Sequence, residues 1–260
     1  MMLSTILLVY LLLSCTILTL PAHAQALENA PVPVNGAAFV RARTKLYVQG
    51  GVVSLNGNTV AQQNQMFALD LATSWPANNP AWISLKQGPT QAFHSAAMST
   101  DEQTFVTFRT TTAGSGSALS YRYHMGSNTW DQSSVKVQNP RKEGVSAVQD
   151  PLSGLVCLAG GCQSDDSQMY VYNIDTDTMS MFSMPSNYMV DRSFYSSVDL
   201  KSRKSIVYFG GSSSNNQPSA DLIAEYITST GSWSTLTMMA PRLFLAVDLT
   251  VAAMQGIFGS

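Results

Sequence analysis

The chain has 260 residues, of which 12% are charged and 9% aromatic, and its formal net charge is −2. No basic patch stands out, so nucleic acid is not an expected partner. Low charge with this aromatic content excludes a disordered chain and favours a β-rich globular body.

The N-terminus comes first. From Met1 to Leu27 no side chain is formally charged, and Ile6 to Leu20 is almost wholly apolar. This run falls short of the roughly 20 residues that span a bilayer. Ala22-His23-Ala24 follows as a small-x-small site, so residues 1–24 read as a signal peptide cleaved before Gln25. The mature chain is expected to be secreted, with no membrane segment, and residues 25–36 read as a linker.

From residue 37 onward the chain repeats. Copy one (about 37–88) carries Leu46-Tyr47-Val48-Gln49-Gly50-Gly51, then Phe67-Ala68-Leu69-Asp70-Leu71-Ala72-Thr73-Ser74-Trp75. Pro76 to Pro80 looks like an insertion there, which makes Trp82 an alternative to Trp75 as the marker residue. Copy two (89–139) is degenerate: Phe105-Val106-Thr107-Phe108 ends in Arg109-Thr110, and Tyr121-Arg122-Tyr123 leads to Trp130. Copy three (140–189) has Leu155-Val156-Cys157-Leu158-Ala159-Gly160-Gly161, then Tyr170-Val171-Tyr172 and Met179 in the Trp place. Copy four (190–239) has Ile206-Val207-Tyr208-Phe209-Gly210-Gly211, then Tyr226 and Trp233. The Gly-Gly pairs at 160–161 and 210–211 lie 50 residues apart. A partial fifth copy occupies 240–260. Its Arg242-Leu243-Phe244…Val247-Asp248-Leu249 resembles Arg192-Ser193-Phe194…Val198-Asp199-Leu200 with one residue missing between the two parts, and Met254 to Ser260 matches the strand that ends at Gly211.

Each copy reads as four short strands separated by turn residues. Gly50, Gly51, Gly160, Gly161, Gly210 and Gly211 permit the positive φ of a tight turn. Trp75 or Trp82, Trp130 and Trp233 fill the space between successive sheets. A single four-stranded sheet cannot bury both faces, whereas a ring of sheets does. The expected fold is therefore all-β: a partial β-propeller with four four-stranded blades and the first two strands of a fifth.

No catalytic constellation emerges. There is no Gly-x-Ser-x-Gly elbow, and Ala113-Gly114-Ser115-Gly116-Ser117 lacks the lysine of a phosphate loop. Asp165-Asp166 and the Asp175/Asp177 pair read as turn residues that bond their own backbone rather than as metal ligands. Cys157 and Cys162 remain after signal removal, an even pair that suggests a disulfide in a secreted chain, with buried free thiols as the alternative.

These residues resemble the Kelch-repeat family: a strand ending in Gly-Gly, an aromatic strand, a Thr-rich turn and a Trp, at about fifty residues per blade. The arrangement also resembles secreted, galactose-oxidase-like Kelch proteins. The resemblance implies six or seven blades, so the chain reads as a truncated form or fragment, the alternative being a five-bladed ring closed by residues 25–36. It also implies a binding or interaction scaffold for an unidentified protein or glycan, not an enzyme. The alternative is the remnant of a galactose-oxidase-like carbohydrate oxidase without its copper site, since only His94 and His124 are left as ligands and they lack ligand spacing. Arg41, Arg141, Arg192 and Arg242 recur near the start of their copies. They read either as supports for inter-blade hydrogen bonds or as a ring that receives acidic groups. No cofactor and no metal is expected.

Overall fold

The computed structural model describes residues 30–55, 59–108, 117–137, 144–150, 153–160, 168–185, 188–189, 192–213 and 223–236. The expected signal peptide, the expected partial fifth copy, Gly161, Cys162, Asp165, Asp166, Arg141 and Arg242 lie outside them. There is no helix among the described residues.

The strands, in chain order, are β1 (Ala38–Ala42), β2 (Lys45–Gln49), β3 (Val52–Leu55), β4 (Thr59–Gln62), β5 (Met66–Asp70), β6 (Trp82–Ser84), β7 (Ser95–Met98), β8 (Thr104–Phe108), β9 (Ser117–Ala118), β10 (Ser120–His124), β11 (Thr129–Gln132), β12 (Lys136–Val137), β13 (Ala147–Gln149), β14 (Leu155–Leu158), β15 (Gln168–Asn173), β16 (Thr178–Ser183), β17 (Arg192–Ser193), β18 (Ser196–Leu200), β19 (Ser205–Phe209), β20 (Ser212–Ser213), β21 (Ile223–Ile227) and β22 (Ser232–Thr235). They make four antiparallel four-stranded meanders, β1-β2-β5-β6, β7-β8-β10-β11, β13-β14-β15-β16 and β18-β19-β21-β22, arranged as the blades of a propeller. Two-stranded ribbons β3-β4, β9-β12 and β17-β20 extend three of the blades. The first strands lie side by side, β1 against β7, β7 against β13 and β13 against β18, so they are the innermost.

The pleat explains the packing. Side chains at paired positions share one face of a sheet. In blade two, Met98, Phe105, Tyr123 and Trp130 form one such row. The rows Arg41-Leu46-Leu69-Trp82, Gln149-Val156-Tyr172-Met179 and Asp199-Ile206-Tyr226-Trp233 are its equivalents in blades one, three and four. This register settles the marker residue of blade one. Trp82, not Trp75, stands in the fourth-strand place. Trp75 belongs to the inserted loop, where its indole N–H donates to the Asp70 carbonyl at 2.8 Å.

The row faces the preceding blade. Phe105, Tyr123 and Trp130 pack on Ala42, Tyr47, Met66 and Ala68 of blade one. Val156 and Tyr172 pack on Ala97, Val106 and Phe108 of blade two. Ile206, Tyr226 and Trp233 pack on Val148, Cys157, Met169 and Val171 of blade three. Each interface thus sets a bulky back face against a front face of smaller side chains. Burial of apolar surface on both sides, at roughly 25 cal/mol per Å², is what joins the blades.

Candidate functional site

The propeller displays one end around which the first strands start and the second strands finish. Just before the inner strand of each blade, one residue adopts positive φ: Gly36 (64°), Phe93 (52°), Gly144 (77°) and Phe194 (54°). Backbone hydrogen bonds run from one to the next. Phe93 N–H donates to Gly36 O at 2.7 Å, Gly144 N–H to Phe93 O at 2.9 Å, and Phe194 N–H to Gly144 O at 2.8 Å. The phenylalanine rings fill the places where glycine lacks a Cβ, Phe93 over Gly36 and Phe194 over Gly144. The two rings meet edge to face at 6.1 Å. Phe194 remains 48% exposed. A bulky residue at positive φ is strained by about 1–3 kcal/mol and persists only where its surroundings hold it.

Sequence reasoning missed this relay. Arg192-Ser193-Phe194 against Arg242-Leu243-Phe244 carried part of the signal. Across the other blades the shared property is a backbone angle, which Gly and Phe do not show as a shared letter.

The Gly-Gly turns sit at the same end. Gly50, Gly51, Gly160, Gly210 and Gly211 all have positive φ. The first glycine of a pair yields space to the next blade: a Cβ on Gly160 would lie 2.7 Å from the Arg192 and Met189 carbonyls, and one on Gly50 would collide with the Gln91 carbonyl. The second yields to its own blade, a Cβ on Gly211 meeting the Ser193 carbonyl at 2.7 Å.

In blades two and four the residue after the positive-φ position packs on the preceding Gly-Gly turn. In blade two it is His94, buried, with Nε2 2.6 Å from Gln49 Oε1. Gln49 Nε2 donates to Pro89 O at 2.6 Å, which leaves Gln49 Oε1 as the acceptor and His94 Nε2 as the donor. Nδ1 is then an acceptor, buried and without a partner among the described residues. Burial lowers the imidazole pKa to about 3, so the ring is neutral. In blade four the place belongs to Tyr195, whose hydroxyl donates to Ala159 O of blade three.

Arg41 and Arg192 do not make the inter-blade hydrogen bonds expected of the recurring arginines. Arg41 lies within β1 and its Nε donates to Arg43 O at 3.4 Å. Arg192 precedes the inner strand of blade four, and its Nη1 donates to Gly210 O at 3.2 Å within the same blade. Neither bond crosses blades. His94 and His124 are kept apart by register: His94 adjoins Ser95, which pairs with Phe108, whereas His124 pairs with Thr104 at the opposite end of β8. His124 Nε2 lies 2.9 Å from Asp131 Oδ2. Among the described residues no three His, Cys, Asp or Glu side chains cluster as metal ligands. Cys157 is a buried free thiol, pushed up to about 12 by burial first and by Asp150 second. Cys162, its expected partner, is outside the described residues.

At the outer rim, Asp177 departs from the expected self-bonded turn. Its carboxylate accepts from Tyr172 Oη at 2.6 Å, and from Ser133 Oγ at 2.5 Å and Ser134 N at 2.6 Å in blade two. Burial raises its pKa, but the bonds from Ser133, Tyr172 and Ser134 outweigh it and hold the group at about 2. Asn128 does the same one blade earlier: its Oδ1 accepts from Tyr123 Oη at 2.8 Å and from Lys86 N of blade one at 3.2 Å. Asp175 also reaches across, accepting from Thr100 Oγ1 at 2.8 Å. These acidic and amide groups serve the joints between blades.

No family model and no curated protein matches the sequence. Among solved structures the chain is similar to YjhT, with a TM-score of 0.61 at 12% identity, covering 83% of this chain and 69% of that one. At that identity the likeness shows the β-propeller fold.

Proposed function

We propose that this protein is a secreted Kelch-repeat propeller that serves as a binding scaffold for a protein or carbohydrate, without catalysis of its own. The leader-like N-terminus and the Gly-Gly repeat support the compartment and the family. The observation that carries the binding reading is the inner end of the propeller. There Phe194 is half exposed beside Phe93, on strained backbone, at the end where the Gly-Gly turns lie. Loops on a rigid frame are where propellers place recognition. The reading as an oxidase remnant draws no support from His94 and His124, each bonded to a different neighbour at opposite ends of blade two.

The test is a screen of glycans and secreted proteins against the mature chain and its Phe194→Asn variant. Asparagine tolerates positive φ, so the variant removes the ring and keeps the backbone. A ligand held by the parent and weakened about tenfold or more in the variant is the expected result, the loss of one well-packed aromatic contact. Equal binding by both proteins would remove the inner end from the reading.

A further inference from the structure

We propose that the outer edge of blade three, strand β16, is a docking surface for β16 of a second copy of this chain, the two strands pairing antiparallel about a two-fold axis at Ser180. Every blade ends on an outer strand, and the four outer strands differ. β6 has three residues, and β11 and β22 have four each. β16 has six, Thr178–Ser183, all paired with β15 on the inner side. Among the described residues no backbone hydrogen bond reaches it from the other side. A long unpaired edge is a template for another strand, and propellers ordinarily keep theirs short.

The side chains of β16 add to the backbone. Met181 is 56% exposed and Phe182 46%. Register sets them on opposite faces of the sheet. Met181 stands beside Tyr170 on the face toward blade two, and Phe182 stands beside Met169 on the face toward blade four. The edge is therefore apolar on both sides. The other outer strands lack this combination. Asp131 puts a charge on β11, where Arg122 and His124 hold it. In β6 the one exposed large apolar side chain is Ile83, and β22 exposes none.

Charge and symmetry identify the occupant. Thr178–Ser183 carries no charge, so two copies meet without a like-charge pair in the ladder. The acids nearest in sequence, Asp175 and Asp177, precede the strand. Antiparallel pairing about Ser180 sends them to opposite ends, about 20 Å or more apart at roughly 3.3 Å per residue. That is well beyond the screening length of about 8 Å. Parallel pairing in register would instead bring them together. A two-fold axis through the sheet pairs residues of the same face. Met181 then lies opposite the partner's Met179, and Phe182 lies opposite the partner's Thr178. Both exposed side chains gain an apolar neighbour, and the axis closes the assembly at two copies.

The experiment is sedimentation of the mature chain over a concentration series, with hydrogen exchange read at β16 at both ends of the series. The parent is expected to be half dimeric at about 10–100 μM, as suits an interface below the roughly 1,200 Å² of stable complexes. The outward amides of β16 are expected to exchange about threefold or more slower at the concentrated end. Met181→Lys sets two ammonium groups on diagonal positions about 7–8 Å apart across the axis. It should weaken the dimer about tenfold or more. Val198→Lys, on blade four at 43% exposure, should leave the dimer unchanged. Both positions are exposed, so both variants keep the fold. A parent that stays monomeric up to about 100 μM overturns the proposal. So does a dimer weakened as much by Val198→Lys as by Met181→Lys, which would assign the association to blade four. Association without added protection at β16, or association that continues past two copies, overturns it equally.

Discussion

The joint between blades two and three and the joint between blades three and four have the same frame and different chemistry. At the first, the outer rim is polar: Asp177 takes bonds from Ser133 and Ser134, and Arg122 lies 3.6 Å from the same carboxylate. At the second, the equivalent turn residue is Gly231, at φ 69°, with no side chain to reach back. Aromatic packing replaces it, with Trp233 set 5.5 Å from Tyr188 and stacked at 5.6 Å on Tyr208. Near the axis the two joints agree, since Phe93–Gly144 and Gly144–Phe194 are links in one backbone relay. The repeat therefore conserves a backbone arrangement at the centre and lets side-chain chemistry vary at the rim.

The largest expected effect tests the shared centre. Gly160→Val forces a β-branched residue to φ 73° and drives its Cβ against the Arg192 and Met189 carbonyls. Backbone strain and backbone collision together should cost about 4 kcal/mol or more. Urea denaturation reads this as a large fall in midpoint or as loss of the folded protein. A loss below about 1 kcal/mol would mean that the blades can separate at the centre without consequence.

The rim comes next. Asp177→Ala removes the acceptor for two cross-blade donors and strands the Tyr172 hydroxyl. Several bonds to one buried-side carboxylate should be worth about 2–3 kcal/mol. The matching change in the fourth blade, Gly231→Ala, meets open space at its Cβ apart from the Tyr226 hydroxyl at 3.9 Å. It should cost only the strain of positive φ, about 1 kcal/mol. Equal losses by urea midpoint would erase the distinction between a polar and an apolar rim.

What the sequence disclosed follows the same division. The Gly-Gly turns were legible because the need for positive φ and for a missing Cβ selects one letter, glycine. The four-strand blade was legible because aromatic alternation before Trp130 and Trp233 marks a strand with two different faces. Trp75 was misleading for a physical reason: the Thr-Ser-Trp run mimics the turn, whereas only pairing with Leu69 identifies Trp82 as the residue in the row. The role of Asp177 was hidden because its partners lie 43 and 44 residues earlier. Local turn chemistry, read alone, predicts a bond to its own backbone. The candidate binding end was the least legible part, because Gly36, Phe93, Gly144 and Phe194 share an angle and a hydrogen bond, not a residue type.

A milder perturbation separates the first joint from the last. His94 packs on the Gly50 turn between blades one and two, and Tyr195 packs on the Gly160 turn between blades three and four. His94 has a folded pKa of about 3, below its ordinary value of 6.5. Between those values the unfolded chain binds a proton that the folded chain refuses. Stability is therefore intact above pH 6.5 and falls as pH drops toward 3, by about 2 kcal/mol at pH 5. Asp177, held at about 2 from 3.8, contributes stability above pH 3.8 and loses it only as pH falls toward 2. Its bonds are unchanged at pH 5. Comparing urea midpoints at pH 7 and pH 5 thus separates the histidine from Asp177, and most of the drop should vanish in His94→Gln. Hydrogen exchange at pH 5 should show the loosening at β2 and β7 before β14 and β18, since the imidazole sits at the joint between blades one and two. A pH dependence of the same size in the glutamine variant would place the sensitive group elsewhere and remove the contrast between the two joints.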